Sequence, residues 1–185
     1  MTSPATERFN LDPAPDTLAL AHDFLNTRGV GTQPDLLADL PTATAWLDQV
    51  LPGEAKLTAT DLEVLRAFRA ELHRLVVPEG AAPESVAQVG ARGVAAELVL
   101  GVDGTVELRG GGTGAEYVTS RVLAEVLAGQ QVDSWRRLKA CKNDRCRVVF
   151  YDRSRNNSGV WHSLKTCGNP ANLRAFRARN KEASS

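Results

Sequence analysis

Three cysteines and one histidine crowd the C-terminal part of the 185-residue chain, in the order Cys141, Cys146, His162, Cys167. The spacing Cys-x4-Cys-x15-His-x4-Cys makes two close pairs separated by a loop, which is how tetrahedral metal sites are assembled. Three thiolates and an imidazole suit zinc, a borderline-soft ion without a d-electron geometry preference. Four protein ligands close the shell and leave no position for water. The metal expected here, one zinc per chain, is therefore structural and not catalytic. The opposing reading, three buried thiols without a ligand, does not account for the histidine between them.

The flanking residues agree. "KND" between Cys141 and Cys146 can turn sharply and aim backbone N–H groups at sulfur, and "RVVFY" can leave the knuckle as a strand. After Cys167, Gly168 permits an unusual backbone angle, Asn169 can cap a helix and Pro170 suits its first position. On that helix Leu173 and Phe176 are expected to face inward, with Arg174, Arg177 and Lys181 as an adjacent basic stripe. Arg136, Arg137, Lys139, Lys142, Arg145, Arg147, Arg153, Arg155 and Lys165 extend the basic surface. Trp135, Phe150, Tyr151 and Trp161 could stack on bases, but in so small a module they read first as its core.

The segments that position this module are mostly helical. "TLALAHDFLNTRG" places Leu18, Ala21, Phe24 and Leu25 on one face with Gly29 as a stop. "LPTATAWLDQVL" reads as a short helix around Trp46, and "TATDLEVLRAFRAELHRLVV" as a longer one with Leu62, Leu65, Phe68, Leu72 and Leu75 at helical spacing. "PEGAAP" breaks it, and "ESVAQVGARG" reads as a weak further helix. "AELVLGVDGTVELRG" has the short apolar runs and Asp-Gly turn of a β-hairpin. "GGGTG" lacks the partners of a phosphate loop and reads as a connector before a helix bearing Tyr117, Val122, Leu123, Val126 and Leu127. The expected fold is α+β and mainly helical: a helical domain with a hairpin over residues 1–134, then a small zinc module over 135–185.

Net charge divides at the same place. Residues 1–134 hold 9 Lys and Arg against 19 Asp and Glu, a balance of −10; residues 135–185 hold 13 against 3, a balance of +10. A basic module of this kind fits nucleic acid or another acidic surface, including the chain's own acidic part. No apolar run reaches the roughly 18 residues of a membrane span, and "MTSPATERFN" lacks the basic and apolar segments of a signal peptide. A cytoplasmic protein without a membrane partner is expected, and an odd cysteine count in that reducing compartment argues against a disulfide framework.

Two stretches resemble a known family. "LALAHDFLNT" is similar to a short Asp-Phe-x-Asn-Thr signature, here Asp23, Phe24, Asn26 and Thr27, and the C-terminus carries C-x4-C, "VFYDRSRN", a Trp before the third ligand, and "CGN". Together they resemble the bacterial CGNR zinc finger proteins with an N-terminal ABATE domain, a family named for stress-induced transcriptional regulation. The family usually has Trp-Cys where this chain has Trp161-His162, and Cys-Gly-Asn-Arg where it has Cys167-Gly168-Asn169-Pro170. The first departure exchanges one good ligand for another; the second removes an arginine while keeping a helix start. The resemblance implies a DNA-binding finger, and the basic surface supplies Arg153, Arg155, Arg174, Arg177 and Lys181 as candidate DNA contacts. It also implies a helical domain that senses a small-molecule signal or pairs subunits as a homodimer.

Asp23 and Asn26 either line a pocket or form a buried hydrogen-bonding device, and His22 and His73 stand too isolated to be ligands. The helical part, which has no cysteine, is expected to bind no zinc and to fold without it. Three function classes follow: a DNA-binding regulator, a protein-interaction adaptor stapled by zinc, and an enzyme such as a nuclease. The last needs a histidine free of the metal, and His162 is the only one in the module. The chain is expected not to be an enzyme.

Overall fold

The computed structural model describes residues 2–77 and 93–183, with the side chains of 174, 175, 178 and 181–183 left aside. At the centre lies α2 (Ala19–Leu25), entered through a 3-10 turn at Asp16–Leu18, and all seven of its residues are buried. A short α1 (Pro4–Glu7), not anticipated from the sequence, precedes it. Around α2 pack α3 (Leu40–Val50), α4 (Ala59–Leu75) and α5 (Gly114–Gln131). Phe24 ties them together, stacking on Phe68 at 5.4 Å between centroids and tilting against Trp46 at 6.2 Å.

Two of the helices start on side-chain caps. Asp39 caps α3 by accepting the Thr42 N–H, and Thr58 with Asp61 forms a full capping box on α4. On α5 the buried row is Val118, Val122 and Val126, so Val118 joins the expected face while Leu127 stays outside it. Near the end of that helix Gly129 is required: a Cβ there would sit 2.6 Å from Leu18.

The expected hairpin is present as β1 (Ala96–Leu100) and β2 (Val106–Gly110), antiparallel with Leu98 opposite Leu108, and turning at Gly104 with φ +83°. The weak helix expected over 84–93 and the break before it fall almost wholly outside the described residues. A second antiparallel pair, β3 (Leu138–Ala140) with β4 (Val149–Tyr151), opens the C-terminal module. The sequence suggests β4 but not its partner. α6 (Asn169–Ala183) ends the described chain. The architecture is α+β and mainly helical, with the metal-binding module at the C-terminus.

The packing does not break where the charge changes. Leu138, Ala140 and Val149 belong to the same buried cluster as Leu18, Phe24, Leu65 and Val122. Ala140 also donates its N–H to the Val76 carbonyl at the end of α4. The second hairpin thus sits in the main core, and the metal-binding loops hang from its far end.

Candidate metal centre

Cys141 follows β3, Cys146 precedes β4, His162 lies in the loop beyond β4, and Cys167 lies in a helical turn leading into α6. One ligand atom from each, three Sγ and an imidazole nitrogen, all fall within 4.8 Å of one another. Zn–S bonds of about 2.3 Å and Zn–N bonds of about 2.0 Å in a tetrahedron put ligand atoms roughly 3.5 to 3.8 Å apart. His162 Nδ1 lies 3.3 Å from Cys146 Sγ, close to that requirement. The four residues are positioned to hold one metal ion, and the donor set fits structural zinc.

The shell behind the sulfurs is built as well. Backbone N–H groups of Asn143 and His162 point at the Cys141 sulfur, and that of Val148 at Cys146. Asn143 Nδ2 donates to Cys167 Sγ at 3.3 Å, and the Asn143 carbonyl receives the Cys146 and Arg147 N–H groups, closing the knuckle. Arg147 takes φ +58° to leave it. The bond from Cys146, aided by His162, pulls the Cys141 thiol below its usual range, and the same bond pushes Cys146 up. Phe9, Leu11 and Val30 of the helical part, with Trp161, wall off the sulfurs from solvent.

The fourth ligand is held differently from the expectation. Ser163, and not Asn169, is the cap: its Oγ accepts the Thr166 N–H at 3.2 Å. Leu164–Gly168 then form a π turn in which the Asn169 N–H reaches back to Leu164, and Asn169 itself is helical at φ −60°. Pro170 supplies the reason. It has no N–H to continue an ordinary ladder, and a wider turn before it absorbs the missing bond. Cys167 therefore points inward from inside a helical turn and not from a loop ahead of one.

Helix α2 fastens the module to the body. Asn26 uses both ends of its amide on one residue: Oδ1 accepts the Val149 N–H at 3.0 Å and Nδ2 donates to the Val149 carbonyl at 2.9 Å. Beside it His22 Nε2 donates to the same carbonyl at 2.9 Å, while its Nδ1 accepts the Ala14 N–H. Asp23 accepts from Trp46 Nε1 and the Thr6 N–H, both at 2.8 Å. Thr27 receives Arg69, which also forks onto Asp35. The Asp-Phe-x-Asn-Thr stretch is thus a joint, and the buried-device reading of Asp23 and Asn26 holds. From α4, His73 Nε2 meets the Arg147 carbonyl at 2.8 Å, a second clamp that the sequence does not disclose.

Burial lowers His22 to about 4, so it folds as a neutral ring. A base with a depressed folded pKa stabilises fully above its unfolded value near 6.5 and loses that contribution as pH falls toward 4. His22→Gln is expected to remove this acid limb. Relative to the variant, the wild type should lose about 3 kcal/mol of unfolding free energy between pH 7 and 4. Denaturant titrations of both proteins across that range check it, and metal release at low pH cancels in the difference. Parallel curves would contradict a neutral His22.

The expected DNA contacts scatter more than the sequence suggests. Arg153 is exposed but donates to the Pro13 carbonyl at 2.6 Å and lies over the Tyr151 ring. Arg155 and Arg177 are exposed; Arg174 and Lys181 lie on α6, and only their backbone is described. Other basic residues are engaged internally: Arg136 with Asp133, Lys139 with Asp152, Arg147 with Asp144, and Arg137 with the carbonyls of Asp152 and Ser154. Burial works against the Asp152 charge, yet hydrogen bonds from Lys139, Ser154 and Gly159 hold it well below the usual carboxylate range. Lys142, Arg145 and Lys165 stay exposed on the metal-binding loops. The aromatic residues follow the core reading, with Phe150 buried and Trp135, Tyr151 and Trp161 packed on the two clusters.

Leu173 and Phe176 do not face inward; they are 49% and 53% exposed. α6 packs chiefly on the turn it continues, which leaves both side chains about half exposed.

Residues 137–180 match the CGNR zinc finger family, and residues 18–136 match the ABATE family, described as "Putative stress-induced transcription regulator". No curated protein matches the chain.

Proposed function

The chain belongs to the ABATE family, with a CGNR zinc finger at its C-terminus, and on that premise we propose that it binds duplex DNA through the metal-stapled module and regulates transcription under stress. The observation that carries this reading is the set of exposed cations around the metal, Lys142, Arg145, Arg155, Lys165 and Arg177, in a segment whose charge balance is +10. Phosphates attract such a surface, and a metal that fixes the loops lowers the entropy lost on ordering them.

Zinc, when bound, supplies no reaction here; it fixes the geometry of two loops and a helix start. No catalytic role is proposed. All three histidines are committed, His22 to Val149, His73 to Arg147 and His162 to the metal, which leaves no imidazole to act as a base. Control by a small molecule would enter between the end of α4 and β3, where a cleft of about 540 Å³ is lined by Leu75, Trp135, Leu138, Lys139 and Asn157. A regulator of this kind works in the cytoplasm, and no helix among the described residues is long and apolar enough to cross a membrane.

The adaptor reading draws on the exposed Leu173 and Phe176. A titration of fluorescent duplex at several salt concentrations separates the two. Changing Arg174 and Arg177 to Glu should weaken binding without releasing zinc. Each lost phosphate contact should flatten the log–log salt plot by about 0.9. Equal affinity and slope for wild type and variant would remove α6 from the DNA interface. Absence of salt-sensitive binding by the wild type would leave the adaptor.

A further inference from the structure

Between β4 and the third ligand the chain makes a loop, residues 152–159, that is fixed from within by charge. Asp152 is 4% exposed, and its carboxylate accepts Lys139 Nζ at 2.8 Å, the Ser154 N–H at 2.9 Å and the Gly159 N–H at 2.7 Å. It ties the two feet of the loop together. Lys139 Nζ also donates to the Asn157 and Gly159 carbonyls, and the Arg137 guanidinium donates to those of Asp152 and Ser154. Within the loop the Asn157 N–H meets the Ser154 carbonyl and the Ser158 N–H meets the Ser154 hydroxyl, with Asn157 at φ +49°. A buried ion pair such as Lys139–Asp152 adds little net stability, because desolvation offsets the attraction, so its value lies in the one conformation it selects.

At the tip the pattern reverses. Arg155 and Asn156 are exposed, and neither side chain meets a partner among the described residues. Arg153 does not join them, since it turns back to the Pro13 carbonyl. Just past the loop, the Val160 carbonyl receives the Lys142 N–H, which sets an exposed cation of the knuckle at its foot.

We infer that this loop reads base sequence, with Arg155 and Asn156 as the specificity-determining residues, an inference that rests on the DNA binding proposed for the module. Their planar ends are the two that pair bidentately with base edges, the guanidinium with O6 and N7 of guanine and the amide with N6 and N7 of adenine. Phosphate contacts set register without reading sequence, whereas base contacts need side chains held at a fixed angle on a supported frame. Asp152, Lys139 and Arg137 supply that frame. An amide adds no charge to a phosphate-binding surface, so Asn156 is the residue that marks a reading loop off from a merely basic one. Lys142 at the foot, and Lys165 on the turn before α6, then serve the phosphates.

The full zinc-loaded chain is used to select duplexes from a randomised pool, and fluorescence titrations then compare a selected duplex with a random one for each variant. The wild type is expected to prefer the selected duplex. Arg155→Lys keeps the charge but loses the fork, and Asn156→Ala loses the amide; each should cut that preference about tenfold, with zinc content and melting as in the wild type. Lys142→Ala should weaken both duplexes alike and flatten the log–log salt plot by about 0.9. Four results would overturn the loop assignment while DNA binding stands: no preference in the wild type, full preference in both loop variants, equal weakening of both duplexes by them, or the same loss of preference in Lys142→Ala. Absence of salt-sensitive binding to any duplex would instead remove the DNA reading and this inference with it.

Discussion

His162→Ala is expected to lose most of the bound metal and to release both the knuckle and α6, whereas His162→Cys should keep one zinc per chain. Structural zinc sites contribute apparent binding energies of about 10 to 16 kcal/mol, far more than any single contact in this module. Cys141, Cys146 and Cys167 form nearly all of the small cluster around the site, with Val148 as the other fully buried member. Without the ion this small cluster, even with the partly buried Phe9, Leu11, Val30 and Trp161 around it, is too small a core to hold the knuckle and α6. The effect should not stop at the module. The sequence suggests a helical part indifferent to metal, but Val149 and Ala140 lie in the main core next to the knuckle. Chelation should therefore also lower the main melting transition without abolishing it. Metal analysis and thermal melting of wild type, both variants and chelated protein check this. Full zinc retention by His162→Ala with unchanged melting would remove His162 from the ligand set.

The second large effect is expected at Asn26, far from the metal in sequence. Asn26→Ala leaves the buried Val149 N–H without an acceptor and opens a void of amide size, a loss of about 2 to 4 kcal/mol. The Val149 carbonyl keeps His22, so the damage is one-sided. Asn26→Asp is the sharper probe. It retains an acceptor for the N–H but sets a second oxygen against the carbonyl that Nδ2 now serves. It should destabilise at least as much as Ala at neutral pH and recover partly in acid, where the carboxyl can protonate. Melting across pH for the two variants tests it, and wild-type melting in both would mean that the joint carries no load.

The ligand set was legible because zinc demands particular atom types at short spacing, and the long helices because their apolar residues recur every three or four positions. The joint was not. An asparagine that binds a backbone peptide 123 residues away leaves no periodic trace, and the partner Val149 looks like any strand residue. β3 was missed because three residues carry too little pattern. The π turn escapes the sequence because Asn-Pro reads locally as a cap, whereas the missing N–H of Pro170 is absorbed by a wider turn before it. Leu173 and Phe176 are expected inward on the assumption that an apolar pair implies a covering partner within the same chain, but α6 packs chiefly on the turn it continues and leaves both about half exposed.

The joint between α2 and β4 has a consequence for the way the protein is made. Val149 leaves the ribosome 123 residues after Asn26, a delay of roughly 6 to 25 s at ordinary synthesis rates. Throughout that interval the nascent chain holds Asn26 and His22 without their partner, and the core lacks Leu138, Ala140 and Val149. The helical part therefore lacks Leu138, Ala140 and Val149 of its core when its own residues are complete. It waits for the last quarter of the chain, and an interrupted translation product would be a substrate for proteolysis.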